Sequence, residues 1–105
     1  MEKPHLYKPL FGFYDEDSSA GFDLNRVLIT HPSATFFVRI KYVRDNRFGI
    51  LSGDIAIVDR AMKPVGDTPV LIYFHGKFLI KSAREIPKFQ CEVWGVVTYV
   101  IHKYG

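Results

Sequence analysis

Residues 31–61 read HPSATFFVRIKYVRDNRFGILSGDIAIVDRA, and the periodicity of this stretch decides the class of fold. His31-Pro32 turns the chain away from helical angles, because the residue before a proline is pushed towards extended backbone. From Thr35 onward the pattern has a period of two. Phe36, Val38, Ile40 and Tyr42 fall on one face, and Phe37, Arg39 and Lys41 fall on the other, as in a half-buried strand. An irregular charged segment follows and ends in a Gly53-Asp54 turn. Ile55, Ala56, Ile57 and Val58 then form a short, near-continuous apolar run, the pattern of a strand covered on both faces.

Working outward, Asp23 is placed to cap a short helix that carries Leu24, Val27 and Leu28 on one face and stops before His31-Pro32. Downstream, residues 69–74 and 77–83 are two strand-like runs. They are joined by His75-Gly76, a two-residue link with glycine where a tight hairpin needs positive φ. Residues 92–104, rich in β-branched and aromatic side chains, predict a long final strand. The sum is a mainly β domain, with β-hairpins and one short N-terminal helix. Residues 1–22 predict an arm: Pro4 and Pro9 break regular structure, and Asp15, Glu16, Asp17, Ser18, Ser19 and Gly21 form a polar loop. Leu6, Tyr7, Leu10, Phe11, Phe13 and Tyr14 are too apolar for a free tail and are expected to dock on the body or on a partner, with the body the favoured of the two.

A chain of 105 residues is one domain, long enough to bury roughly two thirds of its unfolded surface. Its 48% hydrophobic and 15% aromatic content excludes a disordered tail. The single cysteine, Cys91, has no internal partner, so nothing points to an oxidising compartment. No apolar run reaches the length of a membrane span. The opening MEKPHLYKPLFGF lacks the basic-then-apolar order of a signal peptide, so a cytoplasmic location is expected.

The chemistry-bearing residues narrow the possibilities further. His5, His31, His75 and His102 are scattered, and Cys91 has no ligand at metal-binding spacing, so neither a metal nor any other cofactor is expected. Gly49 to Gly53-Asp54 lacks the lysine and hydroxyl of a phosphate loop. Arg39, Lys41, Arg44 and Arg47 make a basic cluster, and the formal net charge is +3. With no nucleic-acid motif of stacking aromatics beside it, the cluster reads as a solvated face, and direct nucleic-acid binding is not expected. Ser33 sits in a His-Pro-Ser-Ala-Thr turn, where a hydroxyl closes the local backbone more often than it attacks a substrate.

Four blocks resemble, in order, the C-terminal domain of the LexA/UmuD superfamily of self-cleaving serine peptidases, and UmuD most nearly. They are Asp23-Leu24-Asn25 through Phe37-Val38, Gly49 to Ala61, the strand around Lys81, and Trp94-Gly95-Val96-Val97. The block from His31 to Val38 is the most specific of these, and between Lys81 and Trp94 the chain is shorter than the family norm. The resemblance implies a UmuD/LexA-like domain over residues 23–105, behind the arm of residues 1–22. In this family a serine in a Gly-Asp-Ser-Met turn is the nucleophile, and a lysine on a neighbouring strand is its base. A Gly-Ile-x-x-Gly-Asp turn follows the serine, and here it is kept as Gly49, Ile50, Gly53 and Asp54. The serine turn itself is replaced by Tyr42, Val43, Arg44 and Asp45, and a guanidinium is no nucleophile. Ser52-Gly53-Asp54 imitates the start of the lost turn, but Ile55 stands where the serine would be. Lys81 matches the family's lysine. If the family fold is kept, Arg44 and Lys81 come near each other, and Asp45, Asp54, an anion or water must then separate them. Ala20-Gly21 has the residue types of the family's cleavage point.

By resemblance, then, the chain is expected to be a pseudo-peptidase with Arg44 and Lys81 as relic positions, and not an enzyme. Its role would be that of an accessory protein in the SOS response to DNA damage. It would form a homodimer through the long C-terminal strand, with Trp94, Val96 and Tyr99 at the contact, and would serve a UmuC-type polymerase in translesion synthesis. One alternative is a non-cleaving partner that pairs with a full-length UmuD or LexA-like protein and modulates its self-cleavage. The other is an active Ser-Lys peptidase that uses an unaligned serine.

Overall fold

A computed structural model describes residues 12–14, 21–41 and 47–105, with side chains from Asp23 onward. Leu6, Tyr7, Leu10 and Phe11 of the arm, Ala20 of the Ala20-Gly21 pair, and the segment 42–46 that holds Tyr42, Arg44 and Asp45 lie outside the described residues.

The chain divides into two compact units, Met1–Thr30 and His31–Gly105. The division follows the helix, whereas the expected boundary between arm and domain precedes it, at residues 22 and 23. In the first unit, β1 (Gly12–Tyr14) pairs antiparallel with β2 (Gly21–Asp23), with Phe13 opposite Phe22. Asp23 ends β2 and caps α1 (Leu24–Leu28), its carboxylate accepting the Asn25 N–H at 3.0 Å.

The second unit is built on one five-stranded antiparallel sheet. Its strands are β3 (Thr35–Arg39), β4 (Ile55–Asp59), β5 (Pro69–Phe74), β6 (Lys77–Ser82) and β7 (Cys91–Ile101), in the spatial order β3-β4-β7-β5-β6. A 3-10 turn at Pro32–Ala34 delivers the chain into β3. The hydroxyl that closes this turn is that of Thr35, which donates to the His31 carbonyl at 2.7 Å, and not that of Ser33. Thr35 has the reach because it sits one helical turn beyond the carbonyl, while Ser33 is exposed. The β5–β6 hairpin turns on His75 and Gly76, both at positive φ (52° and 79°), which matches the right-handed twist of the flanking strands.

The period-two reading of β3 holds over the described residues. Phe36 and Val38 pack against the core and Ile40 is buried, while Phe37, Arg39 and Lys41 are exposed. That core contains Ile40, Ile50, Ala56, Val58, Leu71 and Val97. Ile57, Val70, Ile72 and Val96 are buried on the opposite face, so β4 is covered on both sides as its apolar run implied.

The final strand departs from simple alternation at two bulges. Leu71 pairs with Gly95 and Ile72 with Val93, which leaves Trp94 as the extra residue. Val58 pairs with Val97 and Ile57 with Tyr99, which leaves Thr98 as the extra residue; its hydroxyl donates to the Ile57 carbonyl at 3.3 Å. Between the bulges, Gly95, Val96 and Val97 are buried in succession. The strand spans Cys91–Ile101, so it stops short of the expected residue 104. No helix among the described residues is long and apolar enough to cross a membrane.

Candidate functional site

The turn before β4 is held by its backbone and by one carboxylate. Gly49 and Gly53 both adopt positive φ (73° and 94°), which is open to glycine at little cost. The Gly53 N–H donates to the Ile40 carbonyl at 2.6 Å, and the Ile40 N–H donates to the Asp54 carbonyl at 2.8 Å, so the β3–β4 pairing continues into the turn. Asp54 is 1% exposed. Its Oδ2 accepts the Leu51 N–H at 2.9 Å, and its Oδ1 lies 2.5 Å from Nδ1 of His102. The Leu51 N–H, followed by the His102 ring, lowers the Asp54 pKa against the opposing effect of burial. An ionised carboxylate only accepts, so Nδ1 of His102 carries the proton in this pair. Ser52 is exposed on the turn, and Ile55 opens β4 directly after Asp54.

A second pair of the same kind lies at the other end of β4. Asp59 is 3% exposed, and its Oδ2 sits 2.6 Å from Nδ1 of His31, while its Oδ1 accepts the Ala61 N–H at 2.8 Å. Burial works to raise the Asp59 pKa; the hydrogen bonds from His31 and from the Ala61 and Met62 backbone outweigh it, and the net shift is downward. Sequence reading treated the histidines as scattered and missed both pairs. The partners are 28 and 48 residues apart, and only the strand order joins them.

Lys81 lies on the edge strand β6, opposite Val70. The registers align Thr35, Asp59, Val96, Val70 and Lys81 in one row across the sheet. Lys81 is half-buried, and its ammonium makes no hydrogen bond or ion pair to another described residue. Asp54, one of the groups expected to balance it, is instead occupied by Leu51 and His102. Arg44, the other relic position, lies outside the described residues.

The three residues expected at a dimer contact do not present one surface. Val96 is 1% exposed. Trp94 packs edge-on against Phe36 and Phe78, with ring centroids 5.8 and 5.2 Å away, and the Arg60 guanidinium lies 5.0 Å over its ring. Its Nε1 is buried without a hydrogen-bond partner among the described residues. Tyr99 is exposed, and it aligns with Ile57 on the face opposite the Ala56–Val58 core. Strand β7 is an interior strand, its first half paired with β5 and its second with β4. A separate aromatic pair lies at the hairpin end of the sheet, where the exposed Tyr73 and Phe78 meet edge-on at 4.9 Å. Among the described residues no cluster of three His, Cys, Asp or Glu could hold a metal ion.

No protein-family model matches the chain. Among individual proteins it is similar to Protein ImpA of Escherichia coli, at 34% identity over 99 residues, covering 77% of this chain and 68% of ImpA. It is similar to Protein SamA of Salmonella typhimurium at 33% identity over 96 residues, covering 77% of this chain and 69% of SamA. Protein MucA of Escherichia coli is 28% identical over 120 residues, covering 83% of this chain and 81% of MucA.

Proposed function

This chain belongs to the UmuD family of the LexA/UmuD superfamily, and from that premise we propose that it is a catalytically inactive accessory protein of DNA damage tolerance in the SOS response. The observation that carries the reading is the residue at position 44. Arg44 stands where the family has its serine, while the next turn keeps Gly49, Ile50, Gly53 and Asp54. The scaffold half of the motif is therefore present without the nucleophilic half. The braced turn supports the same reading: Asp54 is committed to holding Leu51 and His102, which is a positioning task and not acid–base chemistry.

The partner is a UmuC-type translesion polymerase, and the chain serves it as a homodimer. Of the exposed apolar residues, the edge-on pair Tyr73 and Phe78 at the hairpin end of the sheet fits an isologous protein contact best, because it is apolar and aromatic. Pull-down of the full chain against a UmuC-type polymerase and, separately, a LexA-like repressor tests the partner. Retention of the polymerase alone is the expected result. Retention of the repressor alone would favour a modulator of a relative's self-cleavage. Incubation at alkaline pH tests inactivity, and the expected result is a single band of unchanged size.

A further inference from the structure

We propose that two copies of the chain join edge to edge through β6, antiparallel, with Phe78 on the two-fold axis. The inference rests on the homodimer proposed above and places its contact. Strand β6 ends one side of the sheet and pairs with β5 alone among the described residues. The connection from β6 to β7 is a 3-10 turn at Ala83–Glu85 and a short loop, and it adds no strand beside β6. The two-residue turn makes Phe74 and Lys77 a hydrogen-bonded pair. Alternation from there makes Ile72–Leu79 and Val70–Lys81 the next two. The backbone N–H and C=O of Phe78 and Ile80 therefore point away from β5. No other described residue bonds to them. Such a row of unpaired groups is a template for a further strand.

The side chains choose the occupant and the register. Phe78 is 50% exposed and Tyr73 39%, and the two are cross-strand partners on the face that carries Ile80. Trp94 continues the row inward, 5.2 Å from Phe78 and 5.8 Å from Phe36. With Phe78 opposite its own image, two such stripes meet, and aromatic pairs directly across strands are favourable. A two-fold contact through this edge can be centred on Phe78, between Phe78 and Ile80, or on Ile80. The second choice sets Lys77 against the partner's Lys81, and like charges directly opposite are destabilising. The third sets Phe78 against the partner's Ser82, which is buried with its hydroxyl on Gly66 and Asp67. The first sets Lys77 against the partner's Leu79 and Lys81 against the partner's His75, with no cation directly facing its like. Lys77 and its image remain diagonal neighbours, roughly 7–8 Å apart, so salt should tighten this contact. The junction spans about five residues per copy, smaller than the ~800 Å² per partner of a standard interface, so a readily dissociating dimer is expected.

Sedimentation of the full chain over a concentration series tests the contact. Phe78→Lys, which sets two ammonium groups on the axis, is expected to weaken the dimer at least about 10-fold. The wild-type dissociation constant should fall about two-fold between low and high salt, the scale of one surface charge pair. Cysteine cross-linking in a Cys91→Ala background decides the matter if circular dichroism shows Phe78→Lys to be unfolded. Directly opposed strand residues lie about 5.5 Å apart, within disulfide reach, so Phe78→Cys should cross-link on mild oxidation. Ile80→Cys would lie about 14 Å from its image and should not, nor should Phe37→Cys on the opposite edge. A monomer at every concentration would overturn the homodimer and this contact together. A dimer that survives a folded Phe78→Lys, that weakens with salt, or that cross-links through Ile80→Cys or Phe37→Cys in place of Phe78→Cys, would overturn this contact and leave the homodimer standing.

Discussion

His102, beyond the end of β7, holds Asp54, at the start of β4, by a 2.5 Å contact between Nδ1 and Oδ1. The contact closes a circuit in which the turn braces the last strand and the last strand braces the turn. The folded pKa of Asp54 is depressed, first by the Leu51 N–H and then by His102. A carboxyl with a depressed folded pKa contributes stability above its unfolded value of about 3.9, and that contribution is lost as pH falls through the folded value. Asp59, also lowered, acts in the same sense through His31. Urea midpoints measured from pH 7 down to pH 2 should therefore drop in the acid limb, below about pH 4. Asp54→Asn should be less stable than wild type at pH 7 and show a shallower acid limb. An acid limb of unchanged slope in this variant would sink the assignment.

Gly95 sits where β4 leaves β7 no room for a side chain. A Cβ built there would lie 2.7 Å from Cγ1 of Val58 and 3.0 Å from the Asp59 carbonyl oxygen. Val58 is fully buried and cannot swing into solvent. Gly95→Ala should therefore destabilise by about 1–3 kcal/mol through overpacking, despite the gain of a better strand former. Thermal or urea unfolding checks it, and a neutral outcome would mean that β4 and β7 separate more easily than their bulged pairing implies.

These two features also mark how far the sequence could be read. The period of β3, the apolar run of β4 and the His75-Gly76 turn are local signals, and each element formed where its residues indicated. The bulges at Trp94 and Thr98 are not local. They arise because β7 must pair with β5 on one side and β4 on the other, and each bulge resets which face the following residues occupy. Alternation alone would put Val96 and Tyr99 on opposite faces, whereas the bulge at Thr98 returns them to one face, with Val96 buried and Tyr99 exposed. The Asp–His pairs were hidden for the same reason. Asp59 ends an apolar strand and His31 precedes a proline, and nothing in either neighbourhood names the other.

The hairpin turn offers a stabilising substitution. His75 holds φ at 52°, a region that asparagine enters more readily than histidine. Its side chain is exposed, and its ring contact is with Phe74 at 4.1 Å. His75→Asn creates the Asn-Gly pair preferred in two-residue hairpins and should raise stability by about 0.5 kcal/mol or less. Gly76→Val should do the opposite by about 1–2 kcal/mol, since φ there is 79° and a side chain in left-handed backbone is strained. A rise in the urea midpoint for the first variant and a fall for the second are the expected readings.

The inactive-site proposal makes a prediction about repair. Arg44→Ser restores a hydroxyl at the family's nucleophile position but leaves Tyr42, Val43 and Asp45, none of which matches the family's turn. A serine needs its base within hydrogen-bond reach, about 2.6–3.2 Å, and a backbone that aims it. Lys81 is half-buried on an edge strand, so it retains access to water. Arg44→Ser alone should therefore yield no cleaved product after prolonged incubation at alkaline pH, read by electrophoresis and intact mass. Replacing residues 42–45 together with the family's Gly-Asp-Ser-Met tests whether the scaffold still supports the chemistry. If that chain cuts itself and Lys81→Ala abolishes the cut, Lys81 has kept its geometry and the loss was confined to the serine turn. Cleavage by Arg44→Ser alone would mean that the site is more nearly intact than proposed.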